Sequence, residues 1–230
     1  MATEWKERAS ESGLLVVVTG TSASGKDSAS QKMREHDSLQ HLNFSQVVTA
    51  ASRPKRGHEV HGRDYWFYSL EQMREMEKNG MFIEPLTQTG GPDDWKATEK
   101  KEILPILQEK KNVIWRIDLS RAAEVARGGY FQNYLDTHTA KLVESRTVVL
   151  RIDLDHDIDY EKLMSIRKDR DGASFNRERY EIRDRLEASI LDEHGHHFKN
   201  VIENKWNRLD DTVSEISNLL LGFLDNSKNT

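Results

Sequence analysis

A chain of 230 residues and 26.6 kDa has room for one generous domain, or for a core with inserted subdomains, and excludes both a peptide and a large multidomain machine. With 34 basic against 39 acidic residues the net charge is −5, which offers no bulk attraction to nucleic acid or anionic lipid, so any phosphate must be held locally. The absence of cysteine removes disulfides, thiolate metal sites and cysteine nucleophiles together, and suits a reducing cytoplasm.

The opening MATEWKERASESG is charged and has no apolar leader core, and residues 1–12 and 227–230 read as flexible ends. The longest apolar runs, Leu14 to Val18 and Leu219 to Leu221, fall far short of the ~18 residues of a membrane span, so neither secretion nor a membrane is expected. Leu14 to Val18 is an uninterrupted β-branched run that breaks at Thr19-Gly20, the pattern of a strand covered on both faces, and a helix is expected from Lys26. From Thr49 to Thr98 the chain turns polar, aromatic-rich and punctuated by Gly and Pro, with a strand-like DYWFYS and a helical LEQMREMEKNG inside it. This reads as an inserted, substrate-handling region. A helical pattern then covers Glu99 to Lys110, and strand-like runs cover Val113 to Leu119 and Val148 to Leu154. Lys162 to Arg170 is helical in pattern, and Arg167 to Arg185 carries many arginines on an expected helical hairpin with little apolar content, so it reads as a mobile lid without a firm core anchor. From Asp210 onward, Val213, Ile216, Leu219, Leu220 and Phe223 recur at helical spacing. Strands alternating with helices imply βαβ units and a parallel sheet. The expected organisation is an α/β core of 13–48, 99–165 and 191–226, an inserted region of 49–98 and a lid of 166–190.

Gly20-Thr21-Ser22-Ala23-Ser24-Gly25-Lys26 matches GxxxxGK between a buried strand and a helix, the context in which backbone N–H groups and the helix N-terminus cradle phosphate and a lysine bridges the terminal phosphates. Gly20, Ser22, Ala23, Ser24, Gly25 and Lys26 are therefore candidates for holding a nucleotide such as ATP. Where a hydroxyl normally ligates Mg²⁺ the chain has Asp27, followed by Ser28. Asp27 can ligate the metal directly or through water, Ser28 can take over, or Asp27 can cap the helix.

A second cluster, SRPKRGHEVHGRDYWF from Ser52 to Phe67, sets two arginines three residues apart and then an acid, a glycine and a tyrosine. Arginine forks with a tyrosine hydroxyl suit a phosphate monoester. This cluster downstream of a phosphate loop resembles the guanylate kinases and their pattern RxxRxxExxGxDYxF, and the resemblance extends from Leu14 to about Leu224. It implies a three-layer P-loop kinase with a parallel sheet, an inserted nucleoside monophosphate-binding region and a short helical lid, moving the ATP γ-phosphoryl to GMP with Mg²⁺. It further implies that Arg53, Arg56 and Tyr65 hold the GMP phosphate near Glu59, and that Glu84 at the end of GMFIE accepts from guanine. Thr49 and Asp118 stand at further acceptor-side positions, Asn204 stands near the adenine site, and Arg170 with Arg183 or Arg185 would be the lid arginines. Of these, Lys26, Arg53, Arg170 and Arg183 would carry the transfer.

Three positions depart from that pattern. Trp95 with Ala97 or Thr98 replaces a phosphate-binding tyrosine and a hydroxyl, and Arg116 replaces the first acid of LDID. In strand alternation Arg116 would share a face with Asp118, where the two can form an ion pair. The string GKDS also resembles the loop of ribose 1,5-bisphosphate phosphokinases. A P-loop kinase with a different acceptor and a non-catalytic guanylate kinase-like binding module are the alternatives. His194, His196 and His197 read as a helix end rather than a metal site, and Trp66, Trp95, Trp115, Tyr130 and Tyr134 as packing. The protein is expected to be a monomer or homodimer.

Overall fold

The valine run of β1, Leu15–Thr19, is buried at every position, as a strand covered on both faces requires. The computed structural model describes residues 13–89 and 93–228; the ends 1–12 and 229–230 lie outside the described residues. After a turn opening at Gly20, α1 spans Lys26–Glu35. β2 (Ser45–Gln46), β3 (Ala50–Ala51) and β4 (Trp66–Phe67) are short. α2, Leu70–Lys78, starts at a reciprocal cap: Ser69 Oγ accepts from the Gln72 N–H (3.1 Å) and the Gln72 side chain accepts from the Ser69 N–H (2.8 Å). β5 (Thr87–Gln88) and β6 (Trp95–Ala97) follow.

The helical pattern of Glu99 to Lys110 resolves into a 3-10 turn, Lys100–Glu102, and a separate α3, Leu104–Gln108. Pro105 has no N–H to give to the preceding turn, so one continuous helix cannot form across it. β7, Val113–Arg116, stops short of the expected Leu119, because Asp118 serves as the N-cap of α4, Leu119–Arg127, and accepts from the Arg121 N–H (3.0 Å). Strand alternation thus never reaches Asp118, and it does not share a strand face with Arg116. α5 (Thr137–Ser145), β8 (Thr147–Leu154), α6 (Tyr160–Asp171), α7 (Arg177–His194), β9 (Asn200–Asn204) and α8 (Leu209–Lys228) complete the chain. Asp136, Asp159 and Asn176 cap α5, α6 and α7 by the same side-chain chemistry.

The larger sheet has the order β2-β7-β1-β8-β9. β2 pairs parallel with β7 and β8 with β9. The bonds Val113 N–H to Leu14 O and Ile117 N–H to Val18 O advance together along β7 and β1, so that pair is parallel too. The smaller sheet has the order β4-β3-β6-β5, in which β3 runs parallel to β4 and antiparallel to β6.

Two compact units divide the chain. One holds the start of β1 up to Leu15 with Phe44–Ile114 and Gly129–Thr147; the other holds Val16–Asn43, Trp115–Gly128 and the chain from Val148 onward. In the first, Ala50, Met73, Phe82 and Ala97 form a buried cluster against which Trp66, Tyr68, Met76 and Leu86 pack. Tyr130 is also buried there, its ring against Phe131 and Tyr134. In the second, α1 packs on α8, α4 on α7 and α8 on β9. Its buried apolar residues include Val16 to Val18, Met33, Trp115, Leu150 and Ile152, with Val213, Ile216 and Leu220 of α8. Among the described residues no helix is long and apolar enough to cross a membrane.

Trp115 is fully buried in the sheet that carries the Gly20 turn. Trp115→Ala should lower unfolding stability by about 3–5 kcal/mol, the cost of a large aromatic truncation in a core. Urea denaturation measures this, and a loss below about 1 kcal/mol would contradict the packing described.

Candidate active site

The loop from Gly20 to Lys26 is shaped by close approach. A Cβ on Gly20 (φ 153°) would lie 2.1 Å from Ile152 O of β8, and one on Gly25 (φ 82°) would lie 2.2 Å from Asn204 Nδ2 of β9. Neither position tolerates a side chain. Asn204 is the buttress: its Nδ2 donates to Ser24 O (2.9 Å) and its Oδ1 accepts from Thr212 Oγ1 (2.8 Å) on α8. The residue expected near adenine thus holds the loop itself. Ala23 has φ 71°, the left-handed region, which costs a non-glycine residue of order 1–3 kcal/mol. Successive backbone turns of this hand make a concave row of N–H donors suited to an anion. Ser24 Oγ is buried and has no hydrogen-bond partner among the described residues.

Lys26 donates from Nζ to Thr21 O (3.1 Å). Burial pulls its ammonium below the ordinary lysine value; Asp27 acts against that, Arg183 adds to it, Glu187 opposes and Arg170 adds again. All four groups thus stand near enough to Lys26 to act on its charge, and these include both lid arginines expected from the sequence. Asp27 makes no cap bond in α1; its Oδ1 accepts from Arg116 Nη1 (2.7 Å). The Asp27 side chain is 72% exposed, so the pair contributes little stability and the carboxylate remains open to a cation. Ser28 is exposed beside it. Among the described residues no group of three or more His, Cys, Asp or Glu is placed to hold a metal, His194, His196 and His197 included. Oxygen donors at Asp27 and Ser28 fit Mg²⁺ that arrives already bound to phosphates, the usual manner for that ion.

The α6–α7 hairpin is anchored after all, by buried Leu163, Met164 and Tyr180 and by a set of polar groups. Arg167, 1% exposed, forks onto Asp184 (2.7 Å to each carboxylate oxygen), lies 4.7 Å from the Tyr180 ring centroid and donates to Ser22 O (3.0 Å). Glu187, 7% exposed, accepts from the Ser22 N–H (2.9 Å) and from Arg183 Nε (2.9 Å). Ser22, expected among the phosphate-facing amides, therefore spends its N–H on Glu187. Arg170 is exposed and bonds Asp171 (2.8 Å) and Tyr180 (2.5 Å). Sequence reasoning missed Arg167, Asp184 and Glu187. The Arg183–Glu187 spacing of i,i+4 on one helix face was a readable signal for the last.

In the first unit, Arg53 and Glu59 form a bidentate pair, Nη1 to Oε2 at 2.7 Å and Nη2 to Oε1 at 2.5 Å, and the Arg56 N–H donates to the same carboxylate (2.8 Å). The Arg53 guanidinium lies 5.0 Å from the Tyr65 ring centroid, whose ring also faces Lys96 Nζ at 5.2 Å. The hydrogen bonds from Arg53 hold the Glu59 carboxyl at about 2, well below the usual carboxylate range. The Arg56 side chain is exposed and Tyr65 half-buried. Thr49 O accepts from the Trp66 N–H (3.0 Å), and Trp66 Nε1 donates to Glu102 (2.8 Å). Glu84 is half-buried and follows Ile83, whose N–H donates to Thr98 O (2.9 Å). The Trp95 N–H donates to Ser52 Oγ (2.9 Å), which ties that substitution to the residue before Arg53. Asp118, exposed at the α4 cap, belongs to the second unit, apart from the other acceptor-side candidates in sequence grouping.

A family model described as guanylate kinase matches residues 12–221. The chain is 33% identical over 107 residues to a guanylate kinase of Blochmanniella floridana, covering 46% of this chain and 49% of that relative. It is 30% identical over 115 residues to a guanylate kinase of Clostridium tetani, covering 50% of this chain and 51% of the relative. The chain thus spans about half the length of the curated relatives it matches. A crystal structure of guanylate kinase from Anaplasma phagocytophilum matches at a TM-score of 0.57 and 17% identity over 92% of this chain and 86% of that one, a likeness of fold.

Because the folded-state Glu59 value of about 2 lies below its ordinary 4.5, the Arg53–Glu59 pair contributes stability in full above the higher value and loses it as pH falls toward the lower. Glu59→Gln should therefore be less stable than the parent at neutral pH and converge with it on acidification. Melting curves of the two proteins across that range check this; a deficit that persists undiminished in acid would contradict it.

Proposed function

The chain belongs to the guanylate kinase family, and on that premise we propose that it transfers the γ-phosphoryl group of ATP to GMP, giving ADP and GDP. The observation that carries the reading is the presence in one chain of two phosphate-directed arrangements: the glycine-bounded loop with its buried Lys26 ammonium, and the Arg53–Glu59–Arg56 cluster beside Tyr65. A phosphoryl transfer asks for alignment, charge neutralisation and exclusion of water more than for covalent help.

In this reading the amides of Ala23, Gly25 and Lys26 and the Lys26 ammonium bind the donor phosphates, while the Ser24 N–H closes the turn on Thr21 O (3.2 Å). Arg53, preset in a fork by Glu59, offers the acceptor monoester its guanidinium together with Arg56 and the Tyr65 hydroxyl. Glu84 accepts from the two adjacent donors on the guanine edge, which adenine lacks. Arg170 and Arg183 neutralise charge as the γ-phosphorus leaves the ADP oxygen for a GMP phosphate oxygen. That oxygen is already anionic, so no general base is needed. Asp27 and Ser28 would hold Mg²⁺, which supplies charge neutralisation on the bridged phosphates. The setting we assign is the cytoplasm.

The test is ADP release from Mg·ATP with GMP, dGMP, AMP, UMP, CMP or ribose 1,5-bisphosphate. Selective turnover of GMP is expected, reduced at least about a hundredfold by Lys26→Ala, with Glu84→Ala chiefly eroding the guanine preference. Turnover of another acceptor alone would replace GMP in this reading. ATP binding without transfer to any acceptor would favour a binding module instead.

A further inference from the structure

A left-handed alanine in a phosphate loop needs something to keep it there. Ser22 is held from both sides by the hairpin. Its N–H donates to Glu187 Oε2 (2.9 Å) and its carbonyl accepts from Arg167 Nη2 (3.0 Å). The carbonyl belongs to the peptide group that leads into Ala23, so pinning it limits rotation of that group and with it the Ala23 φ of 71°. Both holding side chains are buried and tied back, Arg167 to Asp184 and Glu187 to Arg183. Neither is exposed enough to wander.

We propose that Arg167 and Glu187 are positioning residues for the donor: they hold Ser22 and Ala23 in the turn that aims the loop amides at phosphate. This rests on the reading that the loop takes ATP. The opposing role for the same contact is competition, with the Glu187 carboxylate standing in for a phosphate that must displace it. The two roles predict opposite signs.

The experiment pairs two measurements on the full chain. Calorimetric titration with Mg·ATP, and separately with GMP, is made on the parent, Glu187→Ala, Glu187→Gln, Arg167→Lys and Arg167→Lys combined with Ala23→Gly. Amide hydrogen exchange across Thr21 to Lys26 is followed on the same proteins without ligand. Glu187→Ala should weaken ATP binding about tenfold, the worth of one charge-assisted hydrogen bond, leave GMP binding within about twofold and speed exchange of the loop amides. Glu187→Gln keeps an oxygen for the Ser22 N–H and should restore most of both. Arg167→Lys keeps a charge for Asp184 without a fork to reach Ser22 as well; it should weaken ATP binding, and the added Ala23→Gly should recover part of the loss, because glycine takes a positive φ without strain. Tighter ATP binding in Glu187→Ala would establish competition and overturn the proposal, as would unchanged exchange of the loop. A parent that fails to bind ATP at all would sink the reading of the donor, while the exchange data would still decide whether the loop is held as described.

Discussion

A loop that binds phosphate through its backbone must keep its N–H groups uncommitted, and so forgoes the hydrogen bonds by which loops ordinarily keep their shape. In this chain one backbone bond lies within the loop, Ser24 N–H to Thr21 O (3.2 Å), and further restraint comes from outside. Ile152 O leaves room only for glycine at position 20, Asn204 does the same at position 25, and Thr212 holds Asn204 in place. Arg167 and Glu187 grip the residue between. β8, β9, α6 and α7 thus each bring one polar group to seven residues of turn, and α8 supports them through Thr212 and Asn204.

The same economy governs the buried charges. A desolvated ion is costly unless it is paired and hydrogen-bonded, and each buried or half-buried guanidinium described above is met by a carboxylate in fork geometry. Arg167 has Asp184 and Arg53 has Glu59. The consequences differ with setting. Arg167 is sealed and serves the backbone, whereas Arg53 lies against an aromatic ring with an exposed Arg56 alongside.

The valine run of β1, the GxxxxGK string and the apolar stripe of α8 were legible from residue order because each is a local pattern of burial or of turn chemistry. So were Arg53, Glu59 and Tyr65, which lie close together in sequence. What escaped depends on elements meeting. Arg167 and Asp184 sit on successive helices, and only the hairpin brings them together; Glu187 and Ser22 are 165 residues apart. Asn204 was placed near the nucleotide by resemblance, yet its contacts with Ser24 and Thr212 needed β9 and α8 in position. The strand expected to reach Leu119 failed for a local reason, since an aspartate followed by a helical run caps a helix, and that preference outweighed the β-branched residues before it.

The contact between Arg116 and Asp27 sets the charge near Lys26. Where the family pattern pairs a hydroxyl at the loop with an acid at the strand end, for a sum of 0 − 1 = −1, this chain pairs an acid with a cation, −1 + 1 = 0. The acid at position 27 alone moves the local charge by −1 and the arginine at position 116 alone by +2, so the two together leave the neighbourhood beside Lys26 one unit more positive than the pattern. Restoring the hydroxyl alone would deprive the guanidinium of this carboxylate, and restoring the acid alone would set two carboxylates near Lys26, so the two positions set the local charge together.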